Sequence, residues 1–220
     1  GHEPVSGADD ALQRLQKHPD GQAALARAIA DHFPHLPEDG PGWYLATQLV
    51  QARAIRAAIG RFRSLHESCS GALWWQLDDC WPALSWAVID VAGRRKLAWY
   101  ASAEAMAARA VITTADGDPT ALTLVNDLPE PWQVTGTVRA VDEAGTVLAE
   151  EALDVVVSAD GHHVVSLADP PADVAAIVLD AGGVRGTRWV VRDLDLAHPA
   201  AAIAEVAVHA VPGAVRIEVT

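Results

Sequence analysis

The chain has 220 residues, half of them hydrophobic and a fifth charged, a composition that provides real cores and excludes intrinsic disorder. A formal charge of −13 and an isoelectric point near 4.9 argue against a nucleic-acid partner, whose phosphates would be repelled. No apolar run reaches the roughly 20 residues of a membrane span, and no signal-peptide pattern opens the chain.

In chain order, helical stretches are expected near Ala11–Lys17 and Gln22–Phe33, with His18-Pro-Asp-Gly21 as a turn leading into the second. The clearest helix runs from Tyr44 to Leu65. Leu45, Leu49, Ala52, Ile55, Ile59, Phe62 and Leu65 recur at steps of three and four, which predicts one buried stripe. Ser68–Gly71 break that helix, and Ala72–Leu77 reads as a short buried strand. Arg94–Arg109 is expected to be helical, with Leu97, Tyr100 and Ala101 near one face.

After about residue 110 short β-branched runs alternate with turns such as Asp116-Gly117, Glu143–Gly145 and Asp160-Gly161. Val134, Gly136, Val138 and Ala140 fall on one face of a strand, with Gln133, Thr135, Thr137 and Arg139 on the other. About seven such strands are expected through Leu196, the pattern of an immunoglobulin-like antiparallel β-sandwich. His198–Ala204 reads as a linker and Glu205–Thr220 as one or two further strands. The chain opens on Gly1 rather than Met and is still strand-like at Thr220, which predicts a piece of a longer protein.

The two cysteines, Cys69 and Cys80, are separated by an extended run at about 3.3 Å per residue. That exceeds the ~7 Å Cα separation that a disulfide allows. Free thiols fit a reducing compartment. His162-His163 is expected at a hairpin turn, and Arg94-Arg95-Lys96 is expected to face solvent. His32-Phe-Pro-His35 lacks a third ligand, so no metal is expected.

Four of the eight tryptophans lie in Gly71–Trp86, GALWWQLDDCWPALSW. A buried strand rarely accommodates so many indoles, because each is bulky and its N–H wants a partner. The apolar face of a pyranose packs well on such a ring, and neighbouring amide and acid groups can bond its hydroxyls. Trp75, Gln76, Asp78, Asp79 and Trp81 are therefore the candidate substrate-binding residues. On the residues alone, an aromatic domain interface fits the segment as well.

The run GALWWQLDDCWPALSWAVIDVAGRRKLAWYASAEAMA resembles the eighth barrel strand and following helix of the β-mannosidases of glycoside hydrolase family 2. Their pattern there is G-A-L-Y-W-Q-L-N-D-x-W-P followed by S-W, and TQLVQARAI is similar to their penultimate helix. The likeness covers roughly residues 15–110. It implies an α+β fragment: residues 1–109 as the end of a TIM (β/α)8 barrel, 110–197 as the sandwich, and 198–220 as a linker and the start of a truncated β-domain. It implies that Trp75 stacks on the sugar and is followed by a cis peptide, and that Lys96 matches a family lysine. Asp78 departs from the family's Asn, exchanging an amide for a charge, and Trp99 replaces the usual His.

The family implies an exo-acting, retaining hydrolase of terminal β-D-mannose that works without a cofactor, with its two catalytic glutamates upstream of Gly1. Retention needs two carboxylates about 5–5.5 Å apart. Asp78 and Asp79 are adjacent, but neighbours on a strand point to opposite faces. Glu67 and Glu104 read as solvated charges. No catalytic residue is therefore assigned to this chain. The implied partners are a β-mannoside and the N-terminal remainder of the same enzyme, in the cytoplasm. The alternatives are a non-catalytic carbohydrate-binding or scaffold module, or another activity of the family such as a glucosaminidase.

Overall fold

A computed structural model describes residues 14–35, 37, 40–113, 118–181, 183–191, 206–211 and 214–219. Three helices come first: α1 (Gly21–Ala30), α2 (Gly40–Ser64) and α3 (Leu97–Ala105). Seven strands follow between Arg109 and Trp189: β1 (Arg109–Thr113), β2 (Leu122–Asn126), β3 (Trp132–Val141), β4 (Val147–Val157), β5 (Gly161–Val165), β6 (Ala176–Ala181) and β7 (Val184–Trp189). They form two antiparallel sheets, ordered β1-β2-β5 and β4-β3-β6-β7. Strands β8 (Val206–Val211) and β9 (Ala214–Val219) pair as a separate antiparallel hairpin. The linker expected at 198–204 and the turn at Asp116-Gly117 lie outside the described residues.

The sandwich matches its sequence pattern. Val134, Val138 and Ala140 are buried in β3 while Gln133 and Thr135 are exposed. These three join Leu122 and Leu124 of β2 and Ile177 and Leu179 of β6 in one core drawn from both sheets. Gly136 pairs with Ala181, and a Cβ there would lie 1.9 Å from the Asp180 carbonyl oxygen, so the close approach of β3 to β6 requires glycine.

Strand β2 breaks the alternation, because all five of its residues are buried. Its outer face is covered by the helices: Ala110, Ile112 and Val125 form a second cluster with Ala107. Gly60 brings α2 close to β1, where an added Cβ would stand 3.6 Å from Ile112 Cβ. Arg63 reinforces the seam, donating to the Ala105 carbonyl and to Asp127, the latter at 2.7 Å.

The helical half differs from expectation in several places. Leu15–Lys17 are not helical, since Gln16 bridges Leu84 in parallel and Leu84 N–H donates to the Leu15 carbonyl; residues 11–13 of that expected helix lie outside the described residues. In α2 the stripe is only partly buried. Ile59 is buried, but Leu45, Leu49 and Phe62 are exposed. The N-terminal half of α2 instead turns Trp43 and Ala46 onto Ile29 of α1, leaving Leu45 and Leu49 on the opposite side. Helix α3 starts three residues late because Arg94–Lys96 fold back on Val88–Asp90: Asp90 N–H donates to the Arg94 carbonyl and Lys96 N–H to the Val88 carbonyl. It ends early, with Arg109 already in β1. Its buried face is Ala98, Ser102 and Ala105, whereas Leu97 and Tyr100 are exposed. The strand expected at Ala72–Leu77 is extended but joins no ladder, since no strand lies beside it among the described residues.

His162 does not decorate a turn. It sits within β5, and its ring stacks on His66 just beyond α2, with centroids 3.7 Å apart and planes 11° from parallel. Its Nδ1 is buried without a partner. Burial of the ring, then the charge His66 can carry, depress the His162 pKa below its ordinary value; Asp127 opposes them and Arg63 acts both ways. A depressed histidine binds fewer protons folded than unfolded. Its stabilisation is therefore complete above the ordinary pKa of about 6.5 and is lost as pH falls below it. Urea midpoints should drop between pH 7 and pH 5, and His162→Phe should flatten that dependence. An unchanged slope in the variant would place the effect elsewhere.

Candidate functional site

The segment after α2 alternates as strand sterics dictate, even without a partner strand. Leu73, Trp75 and Leu77 are exposed, whereas Trp74 and Gln76 are half-buried. Trp75 is 75% exposed, a large apolar ring held in the open. The Trp75–Gln76 peptide is cis. The Gln76 amide donates to the Asp78 carbonyl at 2.5 Å, which ties this bend to the residue after next. The Trp74 indole N–H is buried without a partner among the described residues.

Leu77 begins a closed loop. Its carbonyl accepts from Val88 and Ile89 N–H, and Asp79 N–H donates to the Ile89 carbonyl. That loop returns the Trp81–Trp86 stretch beside Asp79. Both oxygens of Asp79 accept from the Ser85 hydroxyl, at 2.7 and 2.8 Å. Lys17 approaches Oδ1 at 3.1 Å and Lys96 approaches Oδ2 at 3.2 Å. The Asp79 side chain is 1% exposed and the Lys96 side chain 7%. Burial pushes against the charge of Asp79, but the Ser85 hydroxyl, Lys17 and Lys96 together outweigh it and hold the carboxyl below its ordinary range. The ammonium of Lys17 also stands over the rings of Trp86 and Trp81, 5.6 and 6.0 Å from their centroids.

These distances sort the five candidates. Trp75 and Asp78 are presented to the surface, and Trp81 is partly presented under Lys17. Gln76 is half-buried, and Asp79 is withdrawn into the ion cluster. Lys96 does not face solvent as expected, because burial beside Asp79 outweighs the preference of a lysine for water. Lys17 was not singled out by sequence reasoning. Its signal was rarity, since the chain has no lysine besides Lys17 and Lys96. Asp78 and Asp79 face opposite ways, so their adjacency does not create an acid/base pair. Glu104 is exposed and ion-paired with Arg56 at 2.7 Å, and Glu67 is exposed. Cys69 and Cys80 are unbridged. What this surface can do is stack on an apolar face and bond hydroxyls.

No family model matches the chain. Over 145 residues it is 30% identical to β-mannosidase A of Aspergillus clavatus, a match covering 60% of this chain and 15% of the relative. Over 109 residues it is 28% identical to β-mannosidase B of Thermothelomyces thermophilus, covering 47% and 12%. A 63-residue stretch is 43% identical to β-mannosidase B of Aspergillus niger, covering 27% and 8%. The fold is similar to a β-D-mannosidase from Dictyoglomus thermophilum, with a TM-score of 0.72 at 23% identity over 84% of this chain and 24% of the other. It is also similar to an exo-chitosanase from Amycolatopsis orientalis, with a TM-score of 0.56 at 19% identity over 68% and 19%. The chain thus spans no more than about a seventh of the length of these curated relatives.

Asp79→Asn keeps the shape but leaves two lysines facing a neutral amide, one of them buried. Breaking a buried ion pair from one side costs about 3–5 kcal/mol. A large fall in Tm at pH 7 is expected. Because the Asp79 pKa is lowered, its stabilisation is present above the ordinary carboxylate range near 4 and is lost as pH falls through the folded value. The wild-type and Asn variant melts should therefore converge under acid conditions. Equal Tm values at neutral pH would refute the role.

Proposed function

We propose that this chain, a homologue of the β-mannosidases of glycoside hydrolase family 2, is the C-terminal part of an exo-acting, retaining β-mannosidase that removes terminal β-D-mannose. On this reading residues 1–109 end a (β/α)8 barrel, residues 110–197 are the sandwich that follows it, and residues 198–220 lead into a further β-domain. The single observation that carries the reading is Trp75. Its indole is exposed on an extended segment whose alternate residues are withdrawn, as expected of a ring held for a sugar to stack upon.

The exposed apolar residues Leu73 and Leu77 beside it, and Leu45 and Leu49 on α2, support a second element: a partner surface supplied by the N-terminal remainder of the enzyme. Active sites of such barrels lie at the C-terminal ends of the strands, and Trp75–Asp79 would occupy that position for the last strand. Trp75 would form a wall of the sugar subsite, with Gln76, Asp78 and Trp81 at its rim and Asp79 holding the loop behind it. The catalytic carboxylates would come from the remainder, since the acids here offer no pair at the separation retention needs. The exo-chitosanase shares the fold alone, whereas the sequence relatives are β-mannosidases, which favours mannose over glucosamine. The unbridged thiols support a reducing, cytoplasmic setting.

The test has two arms. The 220-residue chain incubated with an aryl β-mannoside should show no turnover above buffer; turnover abolished by Asp78→Asn would overturn the reading. In the enzyme assembled with its N-terminal remainder, Trp75→Ala should lower kcat/KM by about 10- to 100-fold with little change in Tm, as befits a contact that acts on the transition state. Trp74→Ala should instead destabilise, on the order of 3 kcal/mol for a large-to-small change at a partly buried indole. If Trp75→Ala melts the protein and Trp74→Ala spoils only catalysis, the segment faces the other way.

A further inference from the structure

A cleft of about 940 Å³ lies between α2 and the 79–96 loop, bounded by α1 and the segment before it. Trp75, Gln76, Asp78 and Trp81 are not among its lining residues; only Asp79 and Lys96 are shared, in its wall. Three glutamines border it, Gln16, Gln48 and Gln51. Each has one amide atom buried with no hydrogen-bond partner among the described residues: Nε2 of Gln16, and Oε1 of Gln48 and of Gln51. Gln51 cannot relieve this by flipping, because its Nε2 already donates to the Trp86 carbonyl at 2.9 Å. Gln16 is held by its backbone bridge to Leu84, with its Oε1 against Gly21, where an added Cβ would lie only 2.1 Å away.

One orphaned buried amide is costly; three around one cleft call for an explanation. The charged groups of the cleft do not supply one, because they are matched among themselves. Asp79 pairs with Lys96, Asp90 pairs with Arg94 at 2.6 Å, and Arg95 lies 4.0 Å from the centroid of the Trp99 ring. What is left uncommitted is neutral: one amide donor, two amide acceptors, and the partly exposed rings of Tyr44 and Trp86 at the margin.

We propose that this cleft is a second carbohydrate-binding site, taking a neutral saccharide unit apart from the one at Trp75. Hydroxyl groups both donate and accept, so a sugar can meet an N–H and two carbonyl oxygens that no purely cationic or anionic ligand satisfies together. The C–H face of a pyranose suits Tyr44 and Trp86. The volume falls within the range of small-ligand pockets and exceeds what a single hexose needs. The choice of a mannose unit rests on the function proposed above; the polar geometry does not.

The test is calorimetric titration of the 220-residue chain with β-1,4-linked mannobiose, on the wild type, Gln48→Leu and Trp75→Ala. Gln48→Leu deletes an acceptor that has no partner, so its Tm should be unchanged or higher, and a loss of binding cannot be ascribed to unfolding. The expected result is saturable binding, weakened at least about tenfold in Gln48→Leu and unaffected by Trp75→Ala. Affinity unchanged in Gln48→Leu, or no binding by the wild type, overturns the site. Binding lost only in Trp75→Ala overturns it too while upholding the Trp75 subsite, so the two proposals fail separately.

Discussion

A single carboxylate organises the aromatic half of this protein. Asp79 sits at the close of the extended Trp75 segment, and its oxygens are reached from three directions: Lys17 ahead of α1, Ser85 across the loop, and Lys96 at the start of α3. None of these segments is held by a regular ladder; isolated bridges and loop hydrogen bonds join them. In such a region a buried charge with matched partners specifies position more sharply than apolar contacts do. An apolar surface tolerates sliding, whereas an ammonium displaced from a buried carboxylate leaves two charges unpaired. Lys17 extends the arrangement to Trp81 and Trp86, whose rings lie beneath its ammonium group.

How legible all this was in the sequence depended on whether the deciding contact was local. The alternation Val134–Ala140 was legible because both neighbours of β3 and the facing sheet impose the same period of two. The alternation around Trp75 was legible for a lesser reason: extended backbone points successive side chains oppositely even when unpaired. The stripe on α2 was misleading because the helix has two apolar sides, and the side marked by Trp43, Ala46 and the small Gly60 is the one that packs. Side-chain size, and not hydrophobicity alone, decides which face of a helix can approach a neighbour.

The Asp79 cluster and the His66–His162 stack illustrate the opposite limit. Their members are 62, 17 and 96 residues apart in sequence, and no periodicity links positions so distant. Lys96 lies in a basic triplet that composition assigns to water, and His162 beside a turn that composition assigns to the surface. Each was drawn inward by a partner that only the folded chain supplies. Pair chemistry of this kind leaves rarity or oddity in a sequence, such as two lysines against a background of arginine, but not an address.

The all-buried strand β2 has a consequence for how this architecture can be cut and joined. Its inner side belongs to the sandwich core and its outer side to the helices, so Ala110, Ile112 and Val125 are common property of two layers. A boundary drawn by composition near residue 110 runs through that shared wall. The sandwich moved alone to another protein would carry a bare apolar sheet face, and the helices left behind would lose the floor beneath Gly60. The transferable unit is therefore the sandwich together with α2 and α3, which makes the seam, and not the loop that crosses it, the natural limit of a graft.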